Sequence, residues 1–254
     1  MNIPKIYGFN RNSDAGPNCF AFSVFLYGCT MRCPFCMNHK LVVGNDKPKT
    51  VSINTIKEAV LADRPKMIVV SGGEPCLQKD IENLLGLFTE LGVQVGMSTN
   101  GTMPNVLKKC LPFLDFVAID IKSPIRSDYK KWDYMHGKFT MSLLKQSLEY
   151  LRNEVKERPE FAFEARTTLY PQSITIENVL DFVSILTRND KWVLQPFRDN
   201  IKMLSDVLKE LDWKSIGETY TEDARKIPPY NKEQIDQIFK QAKMVCPNVV
   251  IRYV

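Results

Sequence analysis

Three cysteines stand close together in the run Cys29-Thr30-Met31-Arg32-Cys33-Pro34-Phe35-Cys36, a C-x3-C-x2-C spacing. Clustered thiolates hold either zinc or an iron–sulfur group. A structural zinc site wants four Cys or His ligands, and His39 could complete such a set. The chain has 2 histidines, His39 and His136, so a histidine-rich metal centre is excluded. In the iron–sulfur reading, three thiolates hold three irons of a four-iron cluster and leave the fourth open to a chelating substrate or cofactor. A short loop can also wrap the cluster and donate backbone N–H bonds to its sulfurs, which tunes its potential. The other cysteines, Cys19, Cys76, Cys110 and Cys246, are scattered, and a total of 7 does not suggest a disulfide framework. They read as structural.

Further polar groups interrupt apolar surroundings at Ser71-Gly72-Gly73-Glu74-Pro75, Ser98-Thr99-Asn100-Gly101, Asp120, Lys122, Arg166, Gln195 and Arg198. Each has a plain structural explanation beside a functional one. A Gly-Gly pair makes a tight turn, and Asp120 with Lys122 makes an ion pair that needs no chemistry. What must position them is a series of βα units. Apolar runs at Phe20–Tyr27, Met67–Val70, Val93–Met97, Phe116–Ile121, Phe161–Leu169, Val193–Phe197 and Val249–Val254 read as strands. Amphipathic stretches at Ile53–Ala62, Leu77–Leu91, Asn105–Leu111, Met141–Val155, Ile176–Thr187 and Lys232–Val245 read as helices. Near-continuous apolar strands imply a parallel sheet covered on both faces, and right-handed crossovers curl six or seven such units into a barrel or part of one. The unusual residues then fall in or beside the loops at the C-terminal strand ends, where such folds do their chemistry.

The 254 residues carry 34 Lys+Arg against 29 Asp+Glu, with 44% hydrophobic residues. That composition fills a core and excludes disorder. No apolar run is long enough to span a bilayer, and the N-terminus lacks a secretory apolar region, so the expectation is a cytoplasmic enzyme with no membrane partner. A charge of +5 without a basic block gives no footprint for nucleic acid. No repeat or linker marks a boundary, so one domain, 1–254, is expected. Its core spans about 19–197 and its C-terminal extension 198–254. Within the extension, 198–231 is the least periodic stretch and reads as an insertion packed on the outside.

The cysteine run resembles the signature of the radical S-adenosylmethionine (SAM) superfamily, C-x3-C-x-aromatic-C, with Phe35 in the aromatic place. Ser71-Gly72-Gly73-Glu74-Pro75 is similar to its GGE motif. Asp14-Ala15-Gly16-Pro17 resembles the lead-in of glycyl-radical-enzyme activating enzymes, Ser98-Thr99-Asn100-Gly101 their D-T-N-G, and Ala118-Ile119-Asp120-Ile121-Lys122 their D-[IL]-K segment. Arg166-Thr167-Thr168, Leu194-Gln195-Pro196-Phe197-Arg198 and Pro229-Tyr230 look most like activating proteins of anaerobic ribonucleoside-triphosphate reductase.

The resemblance implies a partial (β/α)6 barrel with an open side, of α/β class. It implies a [4Fe–4S] cluster on Cys29, Cys33 and Cys36, with SAM as second cofactor. Phe35, Gly72, Gly73, Glu74, Ser98, Asn100, Asp120, Lys122 and Arg166 would line the cofactor. Gly73 and Glu74 would orient the amino group of SAM, Lys122 and Arg166 would face its carboxylate, and Asp120 would balance Lys122. The protein substrate would be a glycyl radical enzyme whose glycine segment meets Gln195 and Arg198. The electron donor would be a flavodoxin or ferredoxin, with Arg126, Lys130 and Lys131 near its approach. Two departures stand out. Ser98 replaces the usual Asp, which removes a ligand of the monovalent cation that some relatives bind, and Met37-Asn38 replaces the usual His-Asn. Two rivals remain open at this point. One is a small-molecule radical SAM enzyme resembling 7-carboxy-7-deazaguanine synthase, and the other is a zinc-binding interaction module using His39.

Overall fold

The structure, a computed structural model, describes residues 2–13, 15–17, 21–42, 49–205 and 227–253. Asp14, Cys19, Phe20 and residues 206–226 of the aperiodic stretch lie outside the described residues. Strand order follows chain order in an eight-stranded sheet: β1 (Ile6–Ser13), β2 (Ala21–Leu26), β3 (Met67–Gly72), β4 (Gln94–Thr99), β5 (Phe116–Asp120), β6 (Ala162–Leu169), β7 (Trp192–Pro196) and β8 (Val249–Ile251). The chain divides into two compact units. One comprises Met1–Thr30, Lys40–Ile119 and Ser142–Phe163; the other comprises Met31–His39, Asp120–Met141 and Glu164–Val254.

In the first unit β2, β3, β4 and β5 pair in parallel, in the registers Leu26↔Gly72, Val70↔Met97 and Thr99↔Ile119 near their C-terminal ends. Ala21, Met67, Val69, Phe116 and Ala118 form a buried cluster on which Ala15 packs. Helix α2 (Ile53–Asp63) starts at Ser52, whose side chain accepts from Thr55 N, and buries Ile56, Ala59 and Val60. Helix α3 (Ile81–Thr89) buries Ile81, Leu84, Leu85 and Phe88, the i, i+3, i+4, i+7 stripe of an amphipathic helix. Each such side chain contributes roughly 1.5–3 kcal/mol on burial. The continuous helix expected over Leu77–Leu91 is broken at Asp80, which is left-handed at φ 61°. A single 3-10 turn, Pro75–Leu77, precedes the break.

Strand β1 pairs antiparallel to β2 and is absent from the sequence expectation. Its burial pattern explains why: Ile6 is buried while the rest is half-buried or exposed, so no apolar alternation marks it.

In the second unit β6, β7 and β8 are parallel, with Ala165↔Trp192 and Leu194↔Ile251 in register. Helix α7 (Lys232–Val245) opens with a capping box between Asn231 and Gln234 and buries Ile235, Ile238, Ala242 and Val245. The helix expected at Ile176–Thr187 is instead a 3-10 segment, Asn178–Ser184. Thr175 and Asn178 bond each other's backbone N–H groups there, which favours the tighter winding. Helix α5 (Arg126–Trp132) was not legible, because few apolar residues mark its inner face: Tyr129 and Trp132 are its buried ones. The stretch from 198 onward is not wholly external, since Met203, Leu204 and Ser205 are buried.

Candidate functional site

Strand β2 ends at Leu26 and the chain turns at Gly28, φ +93°, into Cys29. The loop after β3 packs backbone against backbone on this turn. Gly73 N donates to Leu26 O at 2.9 Å and Glu74 N to Gly28 O at 2.7 Å. A Cβ on Gly73 would lie 1.8 Å from Gly28 O, and one on Gly72, itself at φ +109°, 2.5 Å from Leu26 N and O. The glycine pair is therefore demanded by close approach alone. It sets Glu74 beside the residue that precedes Cys29.

Glu74 is 1% exposed. Its carboxylate accepts from Cys76 N at 3.0 Å, Thr99 Oγ1 at 2.7 Å and Asn100 N at 2.7 Å, joining the β3 loop to the end of β4. Burial pushes its pKa up, while the donors from Asn100, Thr99 and Cys76 oppose the shift. The side chain thus faces protein donors. Asn100 is equally engaged. Its Oδ1 accepts from Thr102 N and Oγ1, and its Nδ2 donates to Thr30 Oγ1 at 2.9 Å and approaches Cys29 Sγ at 3.9 Å. Ser98, one residue before the Glu74 contact, is half-buried. Cys76 and Cys110 are buried and their thiols pushed up by desolvation, Cys110 to about 12. Thiols held protonated in this way pack as small apolar groups.

In the second unit Cys33 is buried and Cys36 half-buried, joined by a turn in which Cys36 N donates to Cys33 O at 3.1 Å. Leu204 N donates to Cys36 O and Ser205 N to Pro34 O, so chain from the C-terminal extension braces this loop. Phe35 packs edge-on against Trp132 at 5.7 Å and tilted against Tyr170 at 4.9 Å. Phe35, Met37, Thr168, Gln195, Pro196, Phe197 and Arg198 line one cleft. Burial pushes the Cys36 thiol up, and the Lys122 cation is the largest opposing influence. Lys122 Nζ lies 3.0 Å from Asp120 Oδ2. Arg166 donates from Nε to Glu164 Oε1 at 2.8 Å. Glu164, fully buried, also takes both guanidinium nitrogens of Arg252, at 2.6 and 3.0 Å, and lies 3.3 Å from Lys191 Nζ. Desolvation raises its pKa but is outweighed by the Arg252 hydrogen bond and the Arg166 and Arg252 charges, so the net shift is downward.

The model of the radical SAM superfamily matches residues 23–187. The chain belongs to the radical SAM superfamily. A protein of Methanocaldococcus jannaschii provisionally named a glycyl-radical enzyme activating enzyme is 30% identical over 234 residues, 90% of this chain and 87% of its own. A 7-carboxy-7-deazaguanine synthase of Hyperthermus butylicus is 34% identical over 92 residues, 35% of this chain and 39% of that enzyme. Among solved structures, Streptococcus suis SuiB superimposes with a TM-score of 0.55 at 15% identity, over 91% of this chain and 47% of SuiB. The fold is the α/β type expected from the sequence.

Radical SAM enzymes use a [4Fe–4S] cluster and SAM. Three thiolates of one short loop suit a four-iron cluster, which gives each thiolate its own iron and leaves the fourth iron open. Cys29, Cys33 and Cys36 lie on one loop and none is in a disulfide, and the Asn100 amide near Cys29 is the kind of N–H that tunes a cluster sulfur.

Sequence reasoning missed Thr30, Thr99 and Thr102, which wire Asn100 and Glu74 together, and missed Glu164. The signal for Glu164 was present, as an acid inside an otherwise buried strand, two residues before Arg166. No helix among the described residues is long and apolar enough to cross a membrane.

Proposed function

We propose that this radical SAM enzyme generates a glycyl radical on a partner enzyme, and that the partner is an anaerobic ribonucleotide reductase. The observation that carries the activase reading is the likeness to the M. jannaschii protein, which spans nearly all of both chains, whereas the H. butylicus synthase matches over about a third of this one. The choice of reductase rests on Arg166-Thr167-Thr168 and the Leu194–Arg198 run.

Cys29, Cys33 and Cys36 hold the cluster in this reading. Cluster and SAM together supply, on one-electron reduction, the 5′-deoxyadenosyl radical that removes hydrogen from a glycine Cα. Backbone carbonyls around Gly73 and Glu74 receive the amino group, Ser98 and Asn100 flank the methionine or ribose, and Lys122 and Arg166 face the carboxylate. Glu164 holds the Arg166 guanidinium through Nε and Nη2. Cys33 and Phe35 are buried, which keeps water from that part of the loop. The glycine segment, extended and rich in backbone donors and acceptors, meets Gln195 and Arg198 in the cleft they share with Phe35. The protein works as one domain in the cytoplasm.

The test mixes reduced enzyme, SAM and candidate partners under oxygen-free conditions and reads the glycyl radical by electron paramagnetic resonance. Gln195→Ala with Arg198→Ala should lose that signal while sparing uncoupled SAM cleavage. Equal loss of both would move the pair to the cofactor. A deazaguanine product with no glycyl radical would establish the rival reading.

A further inference from the structure

Arg252 and Lys191 have no role in the mechanism above, yet both reach the carboxylate that holds Arg166. Strand β8 ends at Ile251, and Arg252 N extends its pairing with β7 by donating to Leu194 O at 2.9 Å. From there the Arg252 side chain crosses β7 to β6 and closes both terminal nitrogens on Glu164. Nη1 meets Oε1 at 2.6 Å and Nη2 meets Oε2 at 3.0 Å. Lys191, just before β7, brings Nζ to 3.3 Å from Oε2. Arg166 keeps to one oxygen, with Nε and Nη2 on Oε1 at 2.8 and 2.7 Å.

A plain structural ion pair matches one cation to one acid. Here three cations share a carboxylate whose side chain is 0% exposed, and the four side chains together carry an excess of positive charge. With Glu164 buried, little water screens these charges from one another. Alone with Glu164, Arg166 would turn its planar fork onto both oxygens, the geometry that guanidinium and carboxylate prefer, and the acid would cancel its charge. Arg252 already occupies that geometry. It thereby confines Arg166 to one oxygen and leaves its cation suited to a second carboxylate.

We propose that Arg252 is a positioning residue for the SAM carboxylate: its two-pronged grip on Glu164 keeps the Arg166 guanidinium charged and oriented for that ligand. This rests on Arg166 facing the carboxylate, as set out above, and not on which partner is activated. Arg252 acts through Glu164 and Arg166 and needs no contact of its own with SAM. Lys191 draws on the same acid and works in the same direction with one prong. The end of β8 thus sets how strongly this side of the sheet distinguishes a nucleoside that carries an amino-acid carboxylate from one that does not.

The test uses reconstituted holoenzyme and two probes, S-adenosylhomocysteine, which keeps the amino-acid carboxylate, and 5′-methylthioadenosine, which lacks it. Calorimetry reads the affinity of each for wild type, Arg252→Gln, Arg166→Gln and the double variant. Arg252→Gln should weaken S-adenosylhomocysteine binding by on the order of tenfold and leave methylthioadenosine binding unchanged. In the Arg166→Gln background the same change should cost nothing further, because the cation it serves is gone. Arg252→Lys keeps the charge without the fork and should fall between wild type and Arg252→Gln for S-adenosylhomocysteine alone; it carries the comparison where Arg252→Gln does not fold. Wild-type affinity for S-adenosylhomocysteine in both Arg252 variants overturns the proposal. So does an equal loss for both probes, or the same loss with and without Arg166, either of which would make Arg252 a structural tie of β8. Wild-type affinity in Arg166→Gln sinks the carboxylate reading of Arg166 and this proposal with it. A loss in Arg166→Gln beside wild-type affinity in the Arg252 variants sinks this proposal alone.

Discussion

Replacing Glu74 separates a carboxylate that serves a ligand from one that serves the fold. In Glu74→Ala, Cys76 N and Asn100 N lose their acceptor in a site 1% exposed, and Thr99 Oγ1 loses its own. Each buried N–H left without a partner costs about 1–3 kcal/mol, so the two backbone groups alone cost about 2–6 kcal/mol. Against a whole-domain stability of about 5–15 kcal/mol, that is a large loss. Glu74→Gln keeps an oxygen for Cys76 and Thr99 but turns an amide NH2 toward Asn100 N, which orphans one donor and costs about 1–3 kcal/mol. The assay is urea unfolding of the cofactor-free protein under reducing conditions, with hydrogen exchange read at the Cys76 and Asn100 amides. The expected order is Ala below Gln below wild type, with faster exchange at Asn100 in both variants. A loss under about 1 kcal/mol in Glu74→Ala, with weakened SAM binding in the holoenzyme, would refute the reasoning and return the carboxylate to the ligand.

Ala at Cys29, Cys33 or Cys36 should abolish iron binding and visible colour after anaerobic reconstitution, while Cys76→Ala and Cys110→Ala keep both; iron and absorbance measurements decide. Gly73→Ala drives a Cβ to 1.8 Å from a backbone oxygen and should cost more than about 3 kcal/mol in urea unfolding. Gly86→Ala, whose Cβ would meet Phe113 at an ordinary 3.7 Å inside α3, should stabilise by about 0.5–1 kcal/mol. Glu164 has its pKa depressed by Arg252 and Arg166, so its contribution is present above the unfolded carboxylate value of about 4.3 and is lost as pH falls through the folded one. Glu164→Gln should therefore lose about 3–5 kcal/mol near neutral pH, with the gap to wild type narrowing in acid; parallel stability–pH curves would contradict this.

The sequence alone determined the strand series β2 to β8, because near-continuous apolar runs between amphipathic stretches admit little else. The family was also legible, since Cys29-x3-Cys33-x2-Cys36 followed one βα unit later by Gly72-Gly73-Glu74 is a local, short-range pattern. What stayed hidden depended on partners distant in the chain. Strand β1 carries no apolar alternation, and its pairing to β2 makes it a strand. The close approach of Gly28 to Gly73 and the bonds of Glu74 to Thr99 and Asn100 were hidden, since those partners lie elsewhere in the chain. The pairing of Arg166 with Glu164 was hidden as well, because Glu164 is also held by Arg252, 88 residues further along the chain. Residue type and spacing announce which chemistry a segment can do. Tertiary packing decides which of its polar groups are already satisfied, because a buried donor or acceptor must find its partner wherever the fold supplies one.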